Sequence, residues 1–314
     1  MSDQAKKIGV RDSTLREGLD TPRVSFSSQQ KLRIARLLEE AEVPEIETVA
    51  PGRVLQDLEF SRIVKEQIPR LITSGLIYSY SPRAREEIKR ASESLDRFDI
   101  LMPVLERRQP FSRTAKLSLL AEILAFSLAS HPDVGVGFPH STQTDVQFLL
   151  EISRRAVTEG ARRLTIYDTN GSADPFSVHA LTARLRSEIE VPIFFHGHND
   201  LGLATANALA AVRAGADGLD VTVNGLGDRA GNAPLEQVAL ALHIGGFQTG
   251  VALKKLRVLS EAVEKESGVQ LSKLAPVVGE FIVQHKAQSH LIDPELFEAF
   301  DPKLIGIERK LDQQ

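Results

Sequence analysis

The stretch His196-Gly197-His198-Asn199-Asp200 carries two imidazoles separated by one residue. In an extended chain residues two apart share a face, so both rings can point at one cation. A lone histidine is commonly a hydrogen-bonded core residue, whereas a pair at this spacing, at the end of a strand, is a ligand set. Near the start, Arg11-Asp12-Ser13-Thr14-Leu15-Arg16-Glu17-Gly18 places an arginine beside a carboxylate ahead of any helix. Glu17 offers a hard oxygen ligand, and Arg16 a planar fork for a substrate carboxylate or oxyanion. The plainer alternative is an ion pair at a helix entry. Two histidines and one carboxylate leave coordination positions open for a bound substrate, so Glu17, His196 and His198 are the expected metal ligands. A third stretch, Asn224-Gly225-Leu226-Gly227-Asp228-Arg229-Ala230-Gly231-Asn232, is rich in glycine and resembles neither GxGxxG nor a P-loop. Its glycines permit close backbone approach to a phosphate or carboxylate. The alternative makes Asn232 the N-cap of a helix with Pro234 in its first turn.

Side chains so far apart in the chain need a scaffold that gathers strand ends. Short β-branched runs alternate with longer stretches of helical periodicity, the sign of repeated βα units around a parallel sheet. Eight strands are expected: 8–12, 45–49, 71–78, 98–104, 134–138, 164–168, 193–196 and 218–223. Helical periodicity follows at 29–41, 115–130, 145–158, 175–188, 204–214 and 234–244, and Gly160, Gly215 and Gly268 fall where helices end. Eight strands close a parallel barrel, so the expected fold is a (β/α)8 TIM barrel over residues 1–246, with a doubly wound open sheet as its rival. A further helix at 254–267 and a segment rich in Pro, His and Phe fit no ninth unit, and residues 247–314 are read as a short C-terminal helical extension. In such a barrel the chemistry sits just past the carboxyl ends of the strands, where all three stretches fall.

Bulk composition removes other classes. With no cysteine, the chain has no disulfide, thiolate ligand or cysteine nucleophile, and any metal must use N and O ligands. A net charge of −4 with interspersed signs and 5% aromatic residues leaves neither a basic stripe nor a stacking platform for nucleic acid. There is no bilayer-length apolar run, and the start MSDQAKKIGV has no apolar signal region, so no membrane partner and a cytoplasmic location are expected.

Taken together, DSTLREG, HGHNDLGLATANALAAVRAGAD and NGLGDRAGNAPLE resemble the signature segments of the DRE-TIM metallolyases. That superfamily includes 2-isopropylmalate, homocitrate and citramalate synthases and hydroxymethylglutaryl-CoA lyase. Ile166-Tyr167-Asp168-Thr169-Asn170-Gly171 is similar to the synthases' sixth-strand motif, and His285-Lys286-Ala287-Gln288-Ser289-His290 to their segment after the barrel. The resemblance implies that Glu17, His196 and His198 hold Mg2+, Mn2+ or Zn2+, with Asn232 a further ligand. It also implies that Arg16 binds the carbonyl or developing alkoxide of a 2-oxoacid, that Thr169 contacts its carboxylate and that Asp20 lies in the substrate site. His290 would act in acid/base chemistry from a neighbouring subunit, which implies a homodimer. The implied reaction is a Claisen-type condensation of an acyl-CoA, such as acetyl-CoA, with a 2-oxoacid, releasing CoA. Its alternatives are retro-aldol cleavage of the lyase type and metabolite binding without turnover.

The sequence also departs from the family pattern. Leu19-Asp20 replaces the synthases' Glu-Gln, and Asp99-Ile100-Leu101-Met102-Pro103-Val104 offers little hydrogen bonding where they carry a His/Ser/Thr cluster. Their fifth-strand catalytic Glu falls at Pro139, which cannot relay a proton; His140 and Glu106 are the nearby substitutes. The glycine-rich loop lacks the lyases' cysteine and is closer to the synthase form. Few residues follow His290, so a leucine-binding regulatory domain and feedback inhibition by leucine are not expected.

Overall fold

The computed structural model describes residues 6–105 and 112–311. Eight parallel strands close into a barrel in chain order: β1 (Gly9–Asp12), β2 (Glu45–Val49), β3 (Ile72–Tyr78), β4 (Phe98–Leu101), β5 (Val134–Phe138), β6 (Leu164–Asp168), β7 (Ile193–Gly197) and β8 (Gly218–Val221). Closure is made by β1 on β8, with Gly9 opposite Gly218 and Asp12 opposite Val221. This is the (β/α)8 barrel expected from the alternating pattern, and the open-sheet rival is set aside.

Helices α1 (Ser28–Glu40), α2 (Val54–Gln67), α3 (Ala84–Ser94), α4 (Arg113–Ser130), α5 (Val146–Thr158), α6 (Pro175–Arg186), α7 (Ala204–Arg213) and α8 (Leu235–Ile244) follow the strands in turn. Their starts are encoded locally. Ser27 and Gln30 form a reciprocal capping box on α1, and Asp174 caps α6 ahead of Pro175. The apolar core lies between strands and helices, where outward residues such as Val10, Ile46, Ile100, Val136, Ile166, Phe195 and Leu219 are buried.

The inward faces of the strands are largely charged instead of branched aliphatic. Arg11, Glu45, Glu47, Asp99, Thr165, His196 and Asp220 all point into the barrel, each buried. Room for them comes from glycines on neighbouring strands. A Cβ at Gly135 would collide with Asp99 and Arg163, and one at Gly137 would lie 2.7 Å from Leu101 and 3.0 Å from the Tyr167 ring.

Most strand and helix ends fall within two residues of the sequence expectation, and three differences bear on the site. β4 ends at Leu101, not Val104, because Met102-Pro103-Val104 leaves the sheet and Pro103 has no N–H to extend the ladder. β8 ends at Val221, and Val223–Gly225 forms a tight turn with Asn224 at a φ of 58°. Helix α8 starts at Leu235 with Pro234 before it and no side-chain cap, so Asn232 is not an N-cap.

Beyond the barrel, α9 (Leu256–Ser267) packs on α1, tied by Arg33 to Glu266 at 2.9 Å and by Asn224 to the Ser260 carbonyl at 2.9 Å. It ends at Gly268, whose φ of 69° is the left-handed cap the sequence suggested. The remaining extension consists of short helical turns and a two-stranded pairing of Gln284–His285 with Lys310–Leu311. No helix among the described residues is long and apolar enough to cross a membrane.

Candidate metal centre and active site

His196 lies on the inward face of β7 and is paired in register with Asp220 of β8. Its Nδ1 sits 3.1 Å from Asp220 Oδ2, leaving Nε2 as the ligand atom. His198, two residues on, is placed by the glycine-rich loop after β8, which folds back so that Asn232 bridges to His198 and the Asn199 N–H donates to the Gly231 carbonyl at 2.8 Å. The glycines serve this fold-back rather than a phosphate. A Cβ on Gly227, at a φ of 157°, would strike the Asn232 side chain, and one on Gly231, at 82°, the Gly225 carbonyl.

Glu17 comes from the turn after β1 and puts Oε1 3.4 Å from His198 Nε2. One ligand atom from each of Glu17, His196 and His198 lies within 4.8 Å of the others, and all three residues are buried. Burial, then the neighbouring His196, Arg229 and Arg16, push the His198 imidazole down to about 2, so it is neutral and free to ligate. Among the described residues, His198 Nδ1 and Asn232 Oδ1 are buried here without a hydrogen-bond partner. Asn232 presents its amide nitrogen 3.0 Å from His196 Nε2, and a half-turn of the amide would present the orphaned oxygen instead. Buried imidazole and oxygen groups crowded together with unmet polar atoms fit a divalent cation, and this N/O set admits Mg2+, Mn2+ or Zn2+.

Arg16 is fixed by Glu47 on β2, whose Oε2 accepts from Nε at 3.0 Å and Nη2 at 2.6 Å. Its Nη1 meets Glu17, and the Ser13 hydroxyl also donates to Glu47. Beneath, burial would raise the Asp220 carboxyl, but Arg11 and the His196 hydrogen bond outweigh it and hold it well below the usual carboxylate range.

These groups open onto one cavity of about 480 Å3 at the carboxyl ends of the strands. Arg16, Glu17, Asp20, Thr169, His196 and His198 line it. Asp20 is exposed at the cavity beside Arg16 and Arg53, and desolvation raises its pKa despite them. The Thr169 hydroxyl oxygen accepts from the His140 N–H at 2.8 Å, leaving its own O–H to donate. Asn232 sits against His196 behind the cavity wall. His140 lines the cavity beside Pro139, while Glu106 lies outside the described residues.

His290 is not among the residues lining the cavity. It stacks on Phe297 with ring centroids 4.0 Å apart, 3.4 Å from His285, whose Nε2 meets Glu298 at 3.0 Å. Sequence reasoning missed Glu47, Asp220 and Tyr167. The first two show only as carboxylates inside strands otherwise rich in Val, Ile and Leu, the third as an aromatic ring ahead of Asp168-Thr169.

Residues 7–263 match the HMGL-like family. The chain is 34% identical over 319 residues to 2-isopropylmalate synthase 2 of Caldanaerobacter subterraneus subsp. tengcongensis, covering 98% of this chain and 81% of that protein. It is 36% identical over 312 residues to the homocitrate synthase of Saccharolobus solfataricus, covering 96% and 67%. In three dimensions it resembles the HMG-CoA lyase of Bacillus subtilis, with a TM-score of 0.73 at 19% identity over 85% of this chain and 95% of that one. The carboxyl transferase domain of Rhizobium etli pyruvate carboxylase gives 0.72 at 18%, over 88% and 52%. With a matching family over most of the barrel, relatives above 30% identity and a Glu-His-His cluster at the barrel mouth, the chain belongs to the HMGL-like family, the DRE-TIM metallolyases, and has their metal-dependent Claisen or retro-aldol type of chemistry.

Proposed function

We propose that the protein condenses an acyl-CoA, acetyl-CoA first among candidates, with a 2-oxoacid bearing an apolar side chain, and releases CoA. The observation that carries this reading is the convergence of the Arg16 fork and the Glu17, His196 and His198 ligand atoms on one end of a single cavity. Glu17, His196 and His198 would hold a divalent ion, which would supply a Lewis acid for the carbonyl of the 2-oxoacid.

The side chains do the rest. Arg16, locked by Glu47 and Glu17, donates to the carbonyl oxygen, where negative charge grows as the new carbon–carbon bond forms. Thr169 donates its hydroxyl to the carboxylate, and Asp20 borders the entry beside Arg53. The acetyl methyl group loses a proton to a base and its carbon attacks the carbonyl carbon; water then cleaves the thioester to free CoA. Pro139 cannot serve as that base. His140 on the cavity wall and His290 from a second copy are the imidazoles on offer. The second copy is supported by the exposed Leu274, Ile292 and Leu296 on the extension, apolar side chains suited to burial between two chains.

The apolar side chain is argued from Leu76, Leu101, Met102 and Val104, which give the opposite wall an apolar surface, with Tyr78, Tyr80 and Arg53 also lining the cavity. The synthase direction is supported by identity of 34–36% with proteins named as synthases and by a loop without cysteine.

The test is thiol release from acetyl-CoA across a panel of 2-oxoacids with Mg2+, Mn2+ or Zn2+. CoA release with 2-oxoisovalerate exceeding that with 2-oxoglutarate is expected. Release with no acid, alongside clean metal binding, would overturn the synthase reading in favour of a lyase or a metabolite-binding protein.

A further inference from the structure

We propose that Arg11 is a positioning residue for the metal centre: by gripping both oxygens of Asp220 it fixes the carboxylate against which His196 sets its Nδ1–H, and so turns Nε2 toward the ion. This rests on the ligand set proposed above. Arg11 is among the largest fully buried side chains of the described residues.

The geometry is a chain of directed bonds. Arg11 Nε lies 2.8 Å from Asp220 Oδ1 and Nη2 lies 2.9 Å from Oδ2, the two-point fork that only a guanidinium makes. Asp220 Oδ2 lies in turn 3.1 Å from His196 Nδ1. An ionised carboxylate only accepts, so the proton of a neutral His196 must sit on Nδ1, which leaves the lone pair on Nε2. The guanidinium is itself immobilised from other strands: Nη1 donates to Asp99 at 2.9 Å and Nη2 to Thr165 at 3.2 Å. Asp99 is shared with Arg163 at 2.7 Å, in space that exists because residue 135 is glycine.

The arrangement has an evident mode of failure. Arg11 is the cation set among Asp220, Asp99 and Glu47, the last 3.6 Å from Nε. Without it Asp99 and Glu47 would keep Arg163 and Arg16, but Asp220 would face them in a dry interior with no cation of its own, and repulsion would swing it off the line to Nδ1. His196 would then be free to place its proton on Nε2, where Asn232 already stands at 3.0 Å, and the ligand atom would be lost. Outer partners of ligating histidines contribute about 10–100-fold in metal affinity.

The experiment uses the whole chain, metal-depleted, with Mn2+ as the calorimetric probe and 15N-labelled histidine for long-range NMR assignment of the His196 tautomer. Wild type is expected to show the Nδ1–H form. Asp220→Asn should weaken Mn2+ binding about 10–100-fold. Arg11→Gln should weaken it about tenfold and move a fraction of His196 to the Nε2–H form. Arg11→Lys keeps the charge but loses the fork; it should shift both readouts the same way, and it serves if the Gln variant does not fold. Folded Arg11 variants that keep the tautomer and hold Mn2+ within twofold would overturn the proposal, as would a wild-type His196 found in the Nε2–H form. Absence of Mn2+ binding in wild type, or its survival in His196→Ala, would overturn the ligand set instead.

Discussion

The two halves of the barrel mouth are built on opposite principles. On the side of β1 and β6 to β8, Arg16, Glu17, Thr169, His196 and His198 present charge and hydrogen bonds, with Glu47 behind Arg16 and Asp220 behind His196. Across the cavity, after β3 and β4 and at the end of β5, Leu76, Leu101, Met102, Val104 and Pro139 present an apolar surface, with Tyr78, Tyr80 and His140 as the polar groups beside them. The first half can recognise what all 2-oxoacids share, a carboxylate beside a carbonyl; the second selects chiefly by shape and apolarity. Chemistry and specificity are thereby assigned to different strands of one fold, which is how this architecture hosts many reactions.

The sharpest way to break the contrast is to take a ligand from the polar half. His198→Ala should weaken Mn2+ binding by more than about a hundredfold, beyond the effect of an outer partner, and remove turnover. The metal-free protein should stay folded, because His198 Nδ1 has no hydrogen-bond partner among the described residues whose loss would cost stability. Calorimetry on metal-depleted protein and a thermal melt check the two halves of this statement. A variant that still retains its ion would sink the assignment of His198.

A second change moves polarity into the apolar half. Leu101→Asn should lower the preference for 2-oxoisovalerate over 2-oxoglutarate, read as a ratio of kcat/KM, by about tenfold, in line with the 1–3 kcal/mol that an apolar pocket group contributes to discrimination. Mn2+ affinity should not change. If the ratio holds and metal binding falls, the two halves are not separable.

How far this contrast could be seen in advance depends on the element. The ends of β2, β5 and β6 were legible to the residue, because turn formers bracket runs of Val, Ile and Phe. The end of β4 was not, since Leu101-Met102-Pro103-Val104 continues an apolar pattern that only Pro103 interrupts. The ligand triad was legible because His196 and His198 share a face whatever the strand does. Its supports were hidden for a general reason: alternation in Glu45-Ile46-Glu47-Thr48-Val49 shows which residues share a face, but not that the polar face is the barrel's interior. Asn232 had two chemically sound readings, and only the fold-back of its loop onto His198 decides against the helix cap.

The polar half also carries a cost behind its wall. Burial pushes the Asp12 and Glu236 carboxyls both up to about 7, and Asp12 is raised further by the nearby Glu236. In the unfolded chain these carboxyls titrate near about 4. Between about pH 4 and 7 the folded state therefore keeps protons that the unfolded state has released, so stability from this source is greatest at the acid end and is lost as pH rises to 7. Glu236→Gln, whose amide oxygen can still accept from the Asn224 N–H, should stabilise the metal-free protein by about 1–3 kcal/mol at pH 8 and by almost nothing at pH 4.5. Urea titration at the two pH values measures this, and an equal gain at both would contradict the sign.

The smallest effect is expected at the seam. The Tyr167 ring lies against His196, tilted by 33° with centroids 4.7 Å apart, and packs with Leu76 and Leu101. Its ring thus belongs to both halves, and its hydroxyl is buried with no hydrogen-bond partner among the described residues. Burial raises the phenol well above its ordinary range, so the group remains neutral. Removing an unsatisfied buried hydroxyl while keeping the ring should leave stability unchanged or higher by up to about 1 kcal/mol. Tyr167→Phe should therefore hold or raise Tm and keep Mn2+ affinity within about twofold, since the surface offered to His196 is the same. A fall in stability of more than about 1 kcal/mol would mean that the hydroxyl finds a partner in solution, such as a buried water, and Tyr167 would then belong to the polar half alone.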